Sequence, residues 1–155
     1  MDTDANPDFQ EDPLLWQAWR IDAASKGLRL RIGKWNVPGS PVAVLVDFKQ
    51  FLTRQNDILT EYWERFGVDS ITGNWDYKES ALFGYVAGKV IESYCKFFLD
   101  ASDKVVAQFH EWQTGAGLLY LKYTGLPVAT VFTTHATVVG RCLAGKKMKL
   151  YESMN

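Results

Sequence analysis

The sequence predicts an α/β fold, a Rossmann-like and mostly parallel sheet with flanking helices, on three observations. In the second half of the chain, short β-branched apolar runs alternate with helical patterns, the arrangement of right-handed parallel βαβ units. Val42-Ala43-Val44-Leu45-Val46 is a continuous apolar run of the kind found in strands buried on both faces. With 155 residues, 47% of them hydrophobic and 14% aromatic, the chain has enough apolar surface for one packed core.

Residues 1–12 are acidic and polar and read as a disordered lead, leaving 13–155 as one domain. From Pro13 to Lys26, Leu14, Leu15, Ala18, Ile21 and either Ala24 or Ser25 recur at helical spacing, with Pro13 suited to a first turn and Gly27 to a stop. Leu28-Arg29-Leu30-Arg31-Ile32 alternates apolar and basic, as a half-solvated or edge strand does. The Pro38-Gly39-Ser40-Pro41 cluster is a turn into the apolar strand Val42 to Val46. Phe48 to Phe66 has the spacing of one or two short helices, and Gly67 to Tyr77 interrupts it. Tyr77 to Leu99 carries a broad apolar stripe from Ala81 to Phe98 and is the longest helix expected. Then come a strand at Val105 to Phe109, a helix at Thr114 to Tyr123, a strand at Val128 to Thr133 and a helix opening at Thr137 to Leu143.

Composition narrows the function classes. Lys plus Arg number 17 against 18 Asp plus Glu, a net charge of -1, without the basic excess that nucleic acid or an anionic membrane would select. The opening residues lack the charged and apolar regions of a secretory signal, and no apolar run approaches the roughly 20 residues of a bilayer span. Cys95 and Cys142 are too few for a disulfide framework and are expected as buried free thiols, which suggests a reducing, cytoplasmic setting. Most of the six Trp residues fall at helical apolar positions and are expected in the core, Trp35 and Trp112 excepted.

In open α/β sheets, ligands bind at the carboxyl ends of the strands. The chain has only two histidines, and each follows a strand: His110 in Phe109-His110-Glu111-Trp112, and His135 in Thr133-Thr134-His135-Ala136-Thr137. His110 reads equally as a ligand group or as an imidazole satisfied by backbone hydrogen bonds. The threonines around His135, a following helix N-terminus and Arg141 could converge on an anionic or polyhydroxyl ligand, whereas Arg141 alone reads equally as a surface cation. Glu111 is either a buried carboxylate for sugar hydroxyls or a first-turn acid favoured by the helix dipole. The two His and two distant Cys have no zinc-ligand spacing, and no phosphate-binding glycine loop or nucleophile elbow is present. Gly115-Ala116-Gly117 lies inside a helical pattern and reads as close packing.

Phe109-His110-Glu111-Trp112, Gly115-Ala116-Gly117-Leu118, the run Leu126 to Thr137 and Gly140-Arg141 together resemble the glycogen synthases of the animal and fungal type and their bacterial relatives. Gly33-Lys34-Trp35, Pro41 to Asp47 and Ala81-Leu82-Phe83-Gly84 extend the match to roughly Asp22 to Gly145. The resemblance implies a two-domain retaining glycosyltransferase of the GT-B type, which moves glucose from UDP-glucose to the non-reducing end of an α-1,4-glucan without a metal. It puts His135 beside the donor sugar, Arg141 on the donor phosphates, and Glu111 and His110, with Thr134 and Thr137, along the same cleft. It further implies a cytoplasmic, homo-oligomeric whole protein.

Two departures shape the expectation. The family's opening strand and glycine loop of the Lys-Val-Gly-Gly kind do not precede Pro13, and the second domain does not follow. The chain is therefore expected to be part of an N-terminal domain, inactive alone because charges from both sides of a closed cleft stabilise the leaving group. Two alternatives stay open: a related transferase with another donor or acceptor, and a non-catalytic carbohydrate-binding module built on Trp and Tyr surfaces.

Overall fold

The computed structural model of the chain describes residues 8–146. The elements are β1 (Phe9–Glu11), α1 (Gln17–Ser25), β2 (Arg29–Trp35), β3 (Val42–Asp47), α2 (Gln55–Phe66), α3 (Trp75–Phe98), β4 (Val105–His110), α4 (Gly115–Thr124), β5 (Val128–Thr133) and α5 (Val138–Gly145). Single 3₁₀ segments, Lys49–Arg54 and Trp112–Thr114, lead into α2 and α4. The alternation expected for the second half is present, within a mixed α/β architecture.

Parallel pairing is narrower than the sequence suggests. Strands β1, β2 and β3 form an antiparallel sheet, and only β4 and β5 pair in parallel. The cause is local: β2 and β3 are joined by a short turn in which Ser40 and Gly39 both take positive φ (40° and 91°), and so tight a connection permits only an antiparallel return. The front of the chain also departs from a structureless lead. Residues 1–7 lie outside the described part, but Phe9–Glu11 pairs with Gly33–Trp35, and Phe9 is buried. Glu11 is held there by Arg20 (3.1 Å) and Arg31 (2.7 Å).

Helix α1 begins at Gln17 rather than Pro13, because the Asp12 carboxylate accepts the Leu14 and Leu15 N–H groups (2.9 and 3.2 Å) in a side-chain-closed turn. The buried stripe differs accordingly. Leu14 and Ile21 are 76% and 66% exposed, while Trp19 and Ala23 are buried. Trp16 and Trp19 pack edge-on and tilted against Tyr94 and Phe98 of α3, and the Trp19 indole N–H donates to Ser93 Oγ at 3.1 Å. Of the remaining tryptophans, Trp63 and Trp75 are exposed rather than in the core, as is Trp112. Cys95 is buried and Cys142 exposed, both as free thiols.

Helix α3 is the spine. Asn74 caps it by accepting the Tyr77 N–H (3.0 Å), and its buried Leu82, Tyr85 and Val86 join a core with Phe51, Ile58 and Tyr62 on one side and Phe109, Tyr120 and Leu121 on the other. Helix α4 lies against α3 at glycines, as the Gly115-Ala116-Gly117 pattern suggested. A Cβ on Gly117 would stand 2.5 Å from the Gly84 carbonyl oxygen and 2.8 Å from the Phe109 ring. Over α3, between β3 and β4, lies an apolar groove of about 460 Å³ lined by Val44, Val46, Val90, Val105 and Val106. Strand β3 is therefore half-exposed instead of buried on both faces.

Candidate functional site

The parallel register sets Phe109 beside Phe132 and His110 beside Thr133. Both strands run the same way, so residues 25 positions apart in sequence meet at one carboxyl edge. His110 Nδ1 and His135 Nε2 are 2.9 Å apart, and the rings are nearly parallel (11°) with centroids at 5.2 Å. Both histidines are exposed. One hydrogen bond between two imidazoles needs one N–H and one lone pair, so one ring donates and the other accepts. It leaves His110 Nε2 and His135 Nδ1 for a ligand.

Glu111 ties the edge together. Its own N–H donates to Thr133 O (2.9 Å), and its Oε1 accepts the N–H of His135 (2.7 Å) and of Ala136 (3.2 Å). Its backbone sits at φ 63° and ψ 164°, a region that costs a residue other than glycine about 1–3 kcal/mol and persists only where its surroundings fix it. Thr114 supplies part of that support: its hydroxyl donates to the carbonyls of His110 (2.8 Å) and Glu111 (3.1 Å). Gln108 Nε2 donates to Thr133 Oγ1 (3.0 Å) on the same face. Thr133 belongs to the threonine-rich motif around His135, whereas Gln108 and Thr114 carry no such mark in the sequence; the even-numbered spacing of Gln108 and His110 on a strand is the one signal that pairs them.

Thr137 caps α5, its Oγ1 accepting the Gly140 N–H at 2.9 Å. Thr134 is exposed, and Arg141 is exposed in the opening turn of α5. The hydrogen-bonded cluster thus joins His110, Glu111 and His135 directly, while Thr137 caps α5 and its carbonyl accepts the Arg141 N–H (2.9 Å); among the described residues no side-chain hydrogen bond ties Thr134 or Arg141 to the histidines. Among the described residues, no three His, Cys, Asp or Glu side chains converge as a metal-ligand set.

Behind this edge the α4 face is phenol-rich. Burial pushes the phenols of Tyr62, Tyr85 and Tyr120 above the ordinary tyrosine range, Tyr120 also through its hydrogen bond to the Glu92 carboxylate. Desolvation pushes the Glu92 carboxyl up, but hydrogen bonds from Lys96 and Tyr120 and the charges of Lys96 and Lys89 outweigh it and hold the group below the carboxylate range. The Tyr62 hydroxyl donates to Ala116 O (2.7 Å), fixing the start of α4. Trp112, 51% exposed, faces Tyr77 with rings parallel to within 2° and centroids 6.3 Å apart.

Fold and site together describe an α/β domain whose polar residues gather at the carboxyl ends of a parallel strand pair, the place where proteins of this class bind ligands. Residues 9–155 match the glycogen synthase family. Relatives include the glycogen [starch] synthase of Dictyostelium discoideum, 35% identical over 83% of this chain and 14% of its own length. The liver glycogen [starch] synthase of Rattus norvegicus is 33% identical over 87% of this chain and 19% of its own, and the Caenorhabditis elegans glycogen [starch] synthase 30% identical over 95% and 23%. The chain belongs to the glycogen synthase family, and it spans between about a seventh and a quarter of the length of these relatives. No described helix is long and apolar enough to cross a membrane.

Proposed function

We propose that the chain is part of the N-terminal domain of a GT-B glycosyltransferase that moves glucose from UDP-glucose to the non-reducing end of an α-1,4-glucan with retention. The observation that carries this reading is the convergence of His110, Glu111 and His135 at the carboxyl edge of β4 and β5, beside the Thr137-capped start of α5. Imidazole nitrogens suit sugar hydroxyls, and a helix N-terminus with Arg141 in its opening turn suits donor phosphates. His135 and Arg141 are assigned to the donor, with His110, Thr134 and Thr137 along the same wall. The facing wall, with the remaining cations for the diphosphate, belongs to a second domain, so this chain alone transfers nothing. The whole protein is a cytoplasmic homo-oligomer, and its transfer needs no metal.

The test is glucose transfer from UDP-glucose to glycogen by the full-length polypeptide, with and without chelator. His135→Ala and Arg141→Ala should each lower kcat/KM by about 100-fold, the scale of losing one donor aimed at developing charge. Full activity in both variants overturns the site assignment, and transfer from another sugar nucleotide overturns the donor.

A further inference from the structure

We infer that Glu111 is a positioning residue, whose carboxylate holds the loop after β5 and through it the His135 ring. The inference rests on the donor-site reading for its consequence, but not for its geometry. Two successive amides, those of His135 and Ala136, aim at one carboxylate oxygen, at 2.7 and 3.2 Å. Paired backbone N–H groups of this kind form a small anion-binding concavity, and here the chain fills it with its own side chain. The anion-binding capacity of the loop backbone is thus spent internally, and a donor phosphate must be met by other groups.

The same residue is locked from the opposite side. Its N–H is held by Thr133 O (2.9 Å), and its carbonyl accepts from Thr114 N (3.1 Å) and from the Thr114 hydroxyl (3.1 Å). These contacts fix a backbone at φ 63° that glycine would adopt freely and glutamate would not. A glutamate at such a position is explained by what its side chain reaches. The backbone of His135 is pinned by Glu111, and its ring lies 2.9 Å from His110 Nδ1. Glu111 therefore sets where the imidazole stands and acts through it.

Glutamine separates positioning from direct charge, because its amide oxygen can still accept both N–H groups. In the full-length protein, Glu111→Gln should keep transfer within about tenfold of the parent, since a neutral acceptor is roughly half as strong as a charged one. Glu111→Ala should lose about 100-fold in kcat, the expected effect of a reacting group displaced by about 1 Å. Hydrogen exchange followed by mass spectrometry gives an arm that needs no transfer assay. The peptide spanning residues 133–138 should exchange faster in Glu111→Ala and stay protected in Glu111→Gln. Glu111→Gly controls for folding: it relaxes the backbone, so its thermal midpoint should be no lower than that of Glu111→Ala, yet the loop should exchange fast. If Glu111→Ala leaves that peptide as protected as in the parent, or if Glu111→Gln loses as much activity as Glu111→Ala with the loop still protected, the inference is overturned. If no variant or parent transfers glucose, the donor-site reading falls, and the exchange data still decide this one.

Discussion

The antiparallel sheet and the parallel pair of this molecule are built from similar apolar strands, and only the second gathers chemistry. In the antiparallel sheet, neighbouring strand ends point opposite ways, so the polar groups spread along its edges and are consumed locally, as Glu11 is by Arg20 and Arg31. In the parallel pair both carboxyl ends reach one edge, and His110, Glu111 and His135 meet there although a whole helix separates them in sequence. The direction of pairing, more than residue type, decides which region can become a site. Both regions lean on α3, through Trp19 on one side and Gly117 on the other.

Glycine positions break the comparison most sharply. Gly117→Ala puts a methyl 2.5 Å from the Gly84 carbonyl and 2.8 Å from Phe109, forcing α4 off α3 in the parallel half. Overpacking of this sort costs about 1–3 kcal/mol, and urea unfolding should show the upper end of that range together with loss of the residue 133–138 protection. Gly33→Ala runs into the Gln10 carbonyl oxygen, but β1 is a three-residue edge. It should release β1 and leave the exchange of residues 133–138 unchanged.

The second test is alkaline pH. The phenols of Tyr62, Tyr85 and Tyr120 have raised folded-state pKa values, so the stability tied to their protonated form is complete below the unfolded tyrosine pKa of about 10 and declines as pH rises beyond it. Ultraviolet titration should show these phenols ionising only as the fold is lost. Tyr120→Phe should weaken that dependence. Glu92 has the opposite sign: its lowered folded pKa contributes stability above the unfolded carboxylate range that is lost as pH falls through the folded value. Tyr120→Phe removes one of the bonds holding it there and should reduce this acid sensitivity as well.

The smallest effect belongs to the front sheet. Glu11→Gln removes two ion pairs whose side chains are a quarter to a third exposed, and should cost about 0.5–1 kcal/mol in the urea midpoint with no change at the His pair. A larger loss, or a shift in transfer activity, would show that the two regions are coupled through α3.

What the sequence makes legible follows from the range of the forces involved. Local periodicity was enough for α3, α4, β4 and β5, and the strand-end rule was enough for the placement of His110 and His135. Strand β1 escaped because three residues carry no period, and its partner lies 22 to 26 positions away. The buried face of α1 is hidden from local periodicity because Leu14, Leu15, Ala18 and Ile21 mark one stripe, whereas Tyr94 and Phe98 on another helix draw Trp16 and Trp19 inward. The Glu111 bond to the loop after β5 is invisible in sequence for a further reason: nothing in residue type announces a glutamate with positive φ.

The connection from α4 to β5 carries a last consequence. Gly125, at φ 66°, ends the helix, and Val128 opens the strand. In a strand, side chains alternate between faces, so β5 has a phase as well as a place. A slip of β5 by one residue against β4 would turn Thr133 to the opposite face from Gln108 and carry the loop after it away from Glu111. The register of two six-residue strands is therefore as much a part of the site as the histidines it brings together.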